Sequence, residues 1–178
     1  MFTGSLAAGL AGLTVSPSRG ILIFSPIVLI AAAGALRAWR SPVTSDALLL
    51  VRYSSLAALV ILLTYSKFIV WWGGHGFGPR YLTDAMPFLG VLLALGLSPL
   101  AERTSHVRIR HAVVNTLLSY SIFIQALGAF CWPSPWTLND PPYRFRLWNW
   151  RNSEIVACIR NGPRLDPLAQ RVFDRLGF

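Results

Sequence analysis

The sequence predicts an all-α polytopic membrane protein with about four transmembrane helices and a short extramembrane C-terminal tail. Three observations carry that expectation. Of 178 residues, 54% are hydrophobic and only 13% charged, against roughly 45–50% apolar and 25% charged in an ordinary soluble domain. Mean hydropathy is +0.52. The apolar residues are gathered into runs bounded by arginine and tryptophan, and at about 20 residues per transmembrane helix four such runs use under half of the chain. The same composition excludes a disordered chain or a coiled coil, and two cysteines cannot make a disulfide framework. Net charge is +9, from fifteen Arg, one Lys and seven acids. In a soluble chain that balance points to nucleic acid; beside four spans it points to anionic head groups or a phosphate-bearing substrate, and nucleic acid is set aside.

The first 15 residues are apolar, but as a helix they reach only about 22 Å, short of a roughly 30 Å hydrocarbon core. Without a basic leading region they do not read as a secretory signal. Residues 1–19 are therefore expected to form an interfacial or re-entrant segment. The four-helix region, residues 20–132, opens with a span over 20–36 that carries no charge, closes on Arg37, Trp39 and Arg40, and is expected to kink at Pro26, where Ser25 can help satisfy the freed carbonyl. A second span covers 47–70, with Arg52 and Lys67 near its ends, where long stems carry both charges to water, and Trp71 and Trp72 as anchors. The third covers 85–101 and the fourth 112–132, where Asn115, Tyr120 and Gln125 suit hydrogen bonds to neighbouring helices better than a polar path. From 133 to 178 the chain becomes an extramembrane tail rich in Arg and Trp, opened by Pro133, Pro135, Pro141 and Pro142.

Four spans place the linkers after the first and third on one side, and the N-terminal segment, the linker 71–84 and the tail on the other. Arg37, Arg40, Arg52, Arg103, Arg108 and Arg110 belong to the first side; Arg19, Lys67 and Arg80 belong to the second, with seven more arginines in the tail. Short loops alone put the first side in the cytoplasm, but the arginines at the start of the tail bring the count level, so charge leaves the orientation open.

The segments with the least ordinary chemistry share the second face. Ser16-Pro17-Ser18-Arg19-Gly20 brings a turn, two hydroxyls and a guanidinium to the start of a span, either as donors to an anion or as a capped helix start with a snorkelling arginine. Trp71-Trp72-Gly73-Gly74-His75-Gly76-Phe77-Gly78-Pro79-Arg80 frees the backbone for tight turns whose amides can line an anion nest, and Pro79 suits the first turn of a following helix with Arg80 near its N-terminus. The alternative is an aromatic belt followed by a structural Arg80–Asp84 pair at helical spacing. With His106 and His111 on the opposite face, His75 has no companions for a metal site, and no cofactor is implied. In the tail, Tyr143-Arg144-Phe145-Arg146-Leu147-Trp148-Asn149-Trp150-Arg151 reads best as a segment docking on the membrane domain. Cys131 and Cys158 lie on the shared face and either pair there, if it is oxidising, or remain free packing residues.

These blocks, from Leu10-Ala11-Gly12-Leu13 through Ser16-Pro17-Ser18-Arg19-Gly20 and Phe24-Ser25-Pro26, then Trp71-Trp72-Gly73-Gly74 with Phe77-Gly78-Pro79-Arg80-Tyr81-Leu82 and Pro87-Phe88-Leu89, then Arg146-Leu147-Trp148-Asn149-Trp150, together resemble the C-terminal half of bacterial polytopic membrane proteins. Those proteins are similar to the GT-C class of glycosyltransferases, the relatives of protein mannosyltransferases. The resemblance covers nearly the whole chain. It implies a transferase in the bacterial inner membrane that takes a sugar from a polyprenyl-phosphate carrier on the non-cytoplasmic face, where the loop 71–84 and the tail would lie. Arg19, Arg80, Ser18 and His75 would then contact the donor phosphate. Such chemistry also needs a carboxylate base, which the resemblance places in the N-terminal half, and nothing here corresponds to it. Because Met1 falls inside a recognisable block, the chain is expected to be a C-terminal, donor-side portion of the enzyme, with its catalytic residues elsewhere. The competing expectation is a non-enzymatic four-helix membrane protein that binds anionic lipid or serves as a subunit.

Overall fold

The computed structural model describes residues 2–74, 76–98, 107–131 and 147–162, and among them every regular element is helical. The chain is all-α. Helix α1 is Leu6–Val15, with Ser5 at its N-cap accepting from the Ala8 amide at 3.4 Å. It ends at Ser16, held extended by Pro17 in the way a residue before proline must be. α1 lies across the end of the long helix α4, Asp46–Ser66: the Gly4 amide donates to the Lys67 carbonyl at 3.1 Å, and Gly12 lies against the Trp71 ring.

The run 20–36 does not form one span. It breaks at Ser25-Pro26 into α2, Ile21–Phe24, and α3, Val28–Arg40. Pro26 lacks an N–H and blocks the preceding turn, so a kink becomes a full interruption. The exposed backbone is patched from α6, Val107–Cys131: the Ile27 amide donates to Ser121 Oγ at 3.4 Å, and Gln125 Nε2 donates to Ser25 Oγ at 3.2 Å. Gln125 therefore does bond across to a neighbouring segment, as its place in the fourth span led us to expect.

Helix α4 starts at Ser45, whose Oγ accepts from the Leu48 amide at 3.4 Å, with Asp46 in the first turn where the helix dipole favours an anion. Arg52 does not simply extend to water. Its Nε donates to the Ala38 carbonyl at 2.9 Å and its Nη2 to the Ser41 carbonyl at 2.6 Å, closing the C-terminal end of α3, while its guanidinium lies 5.2 Å from the centre of the Trp39 ring. A 3-10 helix, Arg80–Ala85, leads directly into α5, Met86–Leu97, with Pro87 in the first turn of α5. Helices α3 and α5 pack at backbone distance: a Cβ at Gly34 would run into the Leu92 carbonyl oxygen and one at Gly96 into that of Ile30. Small residues of this kind are what let membrane helices approach closely. Ala31, Ala38, Val51 and Leu92 fill the space between α3, α4 and α5.

Three stretches are long and apolar enough to cross a membrane, Asp46–Ser66, Arg80–Leu97 and Arg108–Cys131. Each turns most of its surface outward, with Leu50, Leu59, Val60, Ile122 and Phe123 exposed. A water-soluble monomer does not tolerate that much contiguous apolar surface, and the three stretches mark the chain as a membrane protein. The tail contributes α7, Glu154–Asn161, with Ser153 at its N-cap and Gly162 beyond its C-terminus. Its buried face, Glu154, Ile155, Ala157 and Cys158, settles on α2 and α6, where Ile155 joins Phe24 and Ile124.

Candidate functional site: an arginine–glutamate clasp beneath a glycine-rich loop

The N-terminal turn, the loop that follows α4 and the start of α7 meet at one buried pair of charges. Arg19 is only 1% exposed and Glu154 not at all, and Arg19 Nη1 forms an ion pair with Glu154 Oε2. The rest of the guanidinium fork is used on backbone. Nε donates to the Trp72 carbonyl at 2.8 Å, Nη2 to the Gly74 carbonyl at 3.1 Å, and Nη1 also to the Ser18 carbonyl at 2.9 Å. Only arginine offers donors in a planar fork that can address three segments at once. Glu154 Oε2 in turn accepts the Gly78 amide at 2.9 Å, so the glycine-rich loop is gripped at both ends, by a cation at 72–74 and by an anion at 78. Gly78 has φ +65°, and a Cβ there would fall 2.7 Å from the Phe24 ring. Glycine is needed at this position on both counts.

The supporting shell is local. The Ser18 hydroxyl accepts from the Glu154 amide at 3.4 Å, and Ser16 Oγ donates to the Leu147 carbonyl at 2.6 Å, fastening the tail to the N-terminal turn. Leu13, Ile21, Trp71, Leu82, Leu147 and Ala157 close over the assembly as a single apolar cluster. A disulfide joins Cys131, at the end of α6, to Cys158 on α7, which settles the alternative left open by the sequence. Crosslinking residues 27 positions apart is worth about 3–4 kcal/mol in the chain-entropy account. The clasp is thus covered by a helix that is covalently tied to a span.

Burial dominates the titration of both partners. It pushes the Glu154 carboxyl upward, against the opposing pull of the Arg19 charge and the Gly78 amide, and it draws the Arg19 guanidinium downward from its very high ordinary value. The second oxygen, Glu154 Oε1, is enclosed with no hydrogen-bond partner among the described residues.

The structure distributes the sequence-derived site residues unequally. Arg19 and Ser18 come together, but buried and engaged with Glu154 and the loop backbone. Arg80 is exposed, and its guanidinium makes no hydrogen bond or ion pair among the described residues; its aliphatic stem packs beside Gly76. The Arg80–Asp84 pair is not formed. These residues lie on a 3-10 helix, where three residues complete a turn and a four-residue spacing turns the side chains about 120° apart. Asp84 Oδ2 instead accepts from the Tyr65 hydroxyl at 2.6 Å, and the Tyr65 ring stacks on Tyr81 at 4.7 Å. His75, and the tail residues 143–146, lie outside the described residues. No cluster of metal-ligating side chains occurs among the described residues. Glu154 was not singled out from the sequence. It is the only acid between 141 and 165, in a tail otherwise dominated by arginine, and it follows a serine suited to cap a helix; those two features mark it in hindsight, though not its partner 135 positions away.

No protein-family model, curated protein or solved structure matches the chain significantly.

The clasp makes a direct prediction for stability. Glu154→Ala removes the carboxylate partner of a buried guanidinium and should cost about 3–5 kcal/mol, and the double replacement Arg19→Met with Glu154→Leu should not restore the parent's stability, because it leaves the Ser18, Trp72 and Gly74 carbonyls and the Gly78 amide without these partners. Equilibrium unfolding in a mild detergent checks both, and a Glu154→Ala chain as stable as the parent would show that the pair does not hold the face together.

Proposed function

We propose that the chain is the donor-side portion of an integral-membrane glycosyltransferase of the GT-C type, which holds a polyprenyl-phosphate-linked sugar on the non-cytoplasmic face of the bacterial inner membrane. The observation that carries the reading is the position of Arg80. It is an exposed cation without a protein partner among the described residues, at the foot of a glycine-rich loop and at the start of an apolar stretch that can enter the bilayer. On the same stretch, Leu82, Ala85, Leu89 and Leu92 form one wall of a groove of about 210 Å³ whose other walls come from α2, α3 and α4. A phosphate at Arg80 with an isoprenoid chain along this groove satisfies the charge and the apolar surface together.

The disulfide supports the sidedness, because such bonds persist in oxidising compartments and are rare in the bacterial cytosol. It sits on the face that carries the loop and α7. In this reading Arg19 positions the loop and does not touch the phosphate. Neither Glu154 nor Asp84 is placed to activate the acceptor in this reading, since Glu154 is engaged with Arg19 and Asp84 with Tyr65. That commitment of both acids also favours the second reading, a non-enzymatic membrane protein binding anionic lipid or serving as a subunit.

Binding measurements in lipid nanodiscs separate the two readings. Arg80→Ala should weaken binding of a polyprenyl phosphate about tenfold or more, the loss of a charge-assisted contact, while phosphatidylglycerol should compete poorly with the parent chain. Equal binding of the two lipids would favour the second reading, and an unchanged affinity in Arg80→Ala would remove Arg80 from the site. In oriented vesicles, an impermeant thiol reagent should label Thr83→Cys and Trp150→Cys from the same, outer side and Arg40→Cys from the other. Labelling of Thr83→Cys from the cytoplasmic side would overturn the assigned orientation.

A further inference from the structure

Beside the clasp, between the start of α1, the end of α4 and the beginning of the tail, lies a second cavity of about 370 Å³, unlike the groove walled by Leu82 and Leu92 in its chemistry. Trp71, Trp72 and Trp148 line it together with Thr3, Ser5 and Ala8. Its volume falls in the range of small-molecule pockets, about 300–1,000 Å³. Among the described residues that line it none has an ionisable side chain, so this wall favours a ligand without charge. It also does not suit a lipid tail, because hydroxyls of Thr3 and Ser5 share the wall with the indoles. Indole faces beside hydroxyl groups fit a ligand with apolar C–H faces and a rim of hydroxyls.

We propose that this cavity binds a neutral sugar ring, with tryptophan as the stacking platform and Thr3 and Ser5 as polar contacts. The platform has one fixed and one open side. Trp71 is buried against Gly12 and meets Trp72 edge to face at 5.8 Å, and the Trp72 carbonyl is held by Arg19. Trp148 remains 45% exposed and can close onto a ring from the solvent side. The clasp therefore holds the backbone that carries Trp72, while packing on α1 holds the Trp71 ring. The inference deepens the transferase reading by giving the sugar its own pocket apart from the phosphate. It rests on that reading for the natural ligand, but not for binding of a neutral ring as such.

Saturation-transfer NMR on the full chain in lipid nanodiscs, with methyl mannoside, glucoside and galactoside as probes, tests this. Nanodiscs are required because a sugar-headed detergent would compete. At least one glycoside should bind saturably in the millimolar range. Trp148→Ala and Ala8→Phe, which fills the cavity without removing an indole, should each weaken it about tenfold, and Trp148→Phe should retain most of it. If Trp148→Ala does not fold, Ala8→Phe carries the test. Absence of binding by all three glycosides in chains with the Cys131–Cys158 bond intact would overturn the proposal, as would binding indifferent to both variants. These probes carry no phosphate, so their result is independent of the outcome at Arg80.

Discussion

Two opposite charges taken wholly out of water demand that the chain around them be arranged to satisfy them, because either one left alone costs several kcal/mol. In this protein that demand falls on Arg19 and Glu154, 135 residues apart. Meeting it brings the turn after α1, the loop after α4 and the first turn of α7 to one point. Isolated, the pair would be a doubtful source of stability. Here the arginine fork is also bonded to three backbone carbonyls and the carboxylate to a backbone amide, so the pair acts as a polar junction between segments that also meet in the apolar cluster around Leu13 and Trp71.

The remaining features of this face follow from the junction. The loop needs Gly78 because its amide must reach Glu154 while its Cα passes the Phe24 ring. Helix α7 presents Glu154 from its first turn, and the disulfide on the next turn limits how far that helix can move. The interruption at Ser25-Pro26 lets α2 remain a short element under the loop, with Phe24 buried, while α3 continues separately into the packing with α5. Arg80 is left exposed by this arrangement, and the three tryptophans are left around a cavity. In the functional reading the clasp is scaffold, and the ligand-facing chemistry lies on either side of it.

Hydropathy made the membrane-spanning stretches legible, since it depends on nearest neighbours along the chain. The spans expected over 47–70, 85–101 and 112–132 correspond to Asp46–Ser66, Arg80–Leu97 and Arg108–Cys131. Pro26 announced a break in the first span but not its extent, which depends on whether another helix can patch the freed backbone; Ser121 and Gln125 do so from about 100 residues away. Arg19 was visible as an unusual residue and its partner was not. Pairing of distant charges leaves no periodic signal, and a lone acid in an arginine-rich tail reads as a solvated residue. The Arg80–Asp84 pairing failed for a different reason. The spacing rule assumes an α-helix, and the segment is 3-10.

That the clasp holds the glycine-rich loop in place is best tested by hydrogen–deuterium exchange of the intact chain, parent against Glu154→Gln, both with the disulfide formed. Loss of the carboxylate should speed exchange in the peptide covering residues 72–80, above all at Gly78, while α4 and α5 keep the protection of the parent. Unchanged exchange of that loop in Glu154→Gln would contradict the account, because the loop would then owe its conformation to something other than the buried pair.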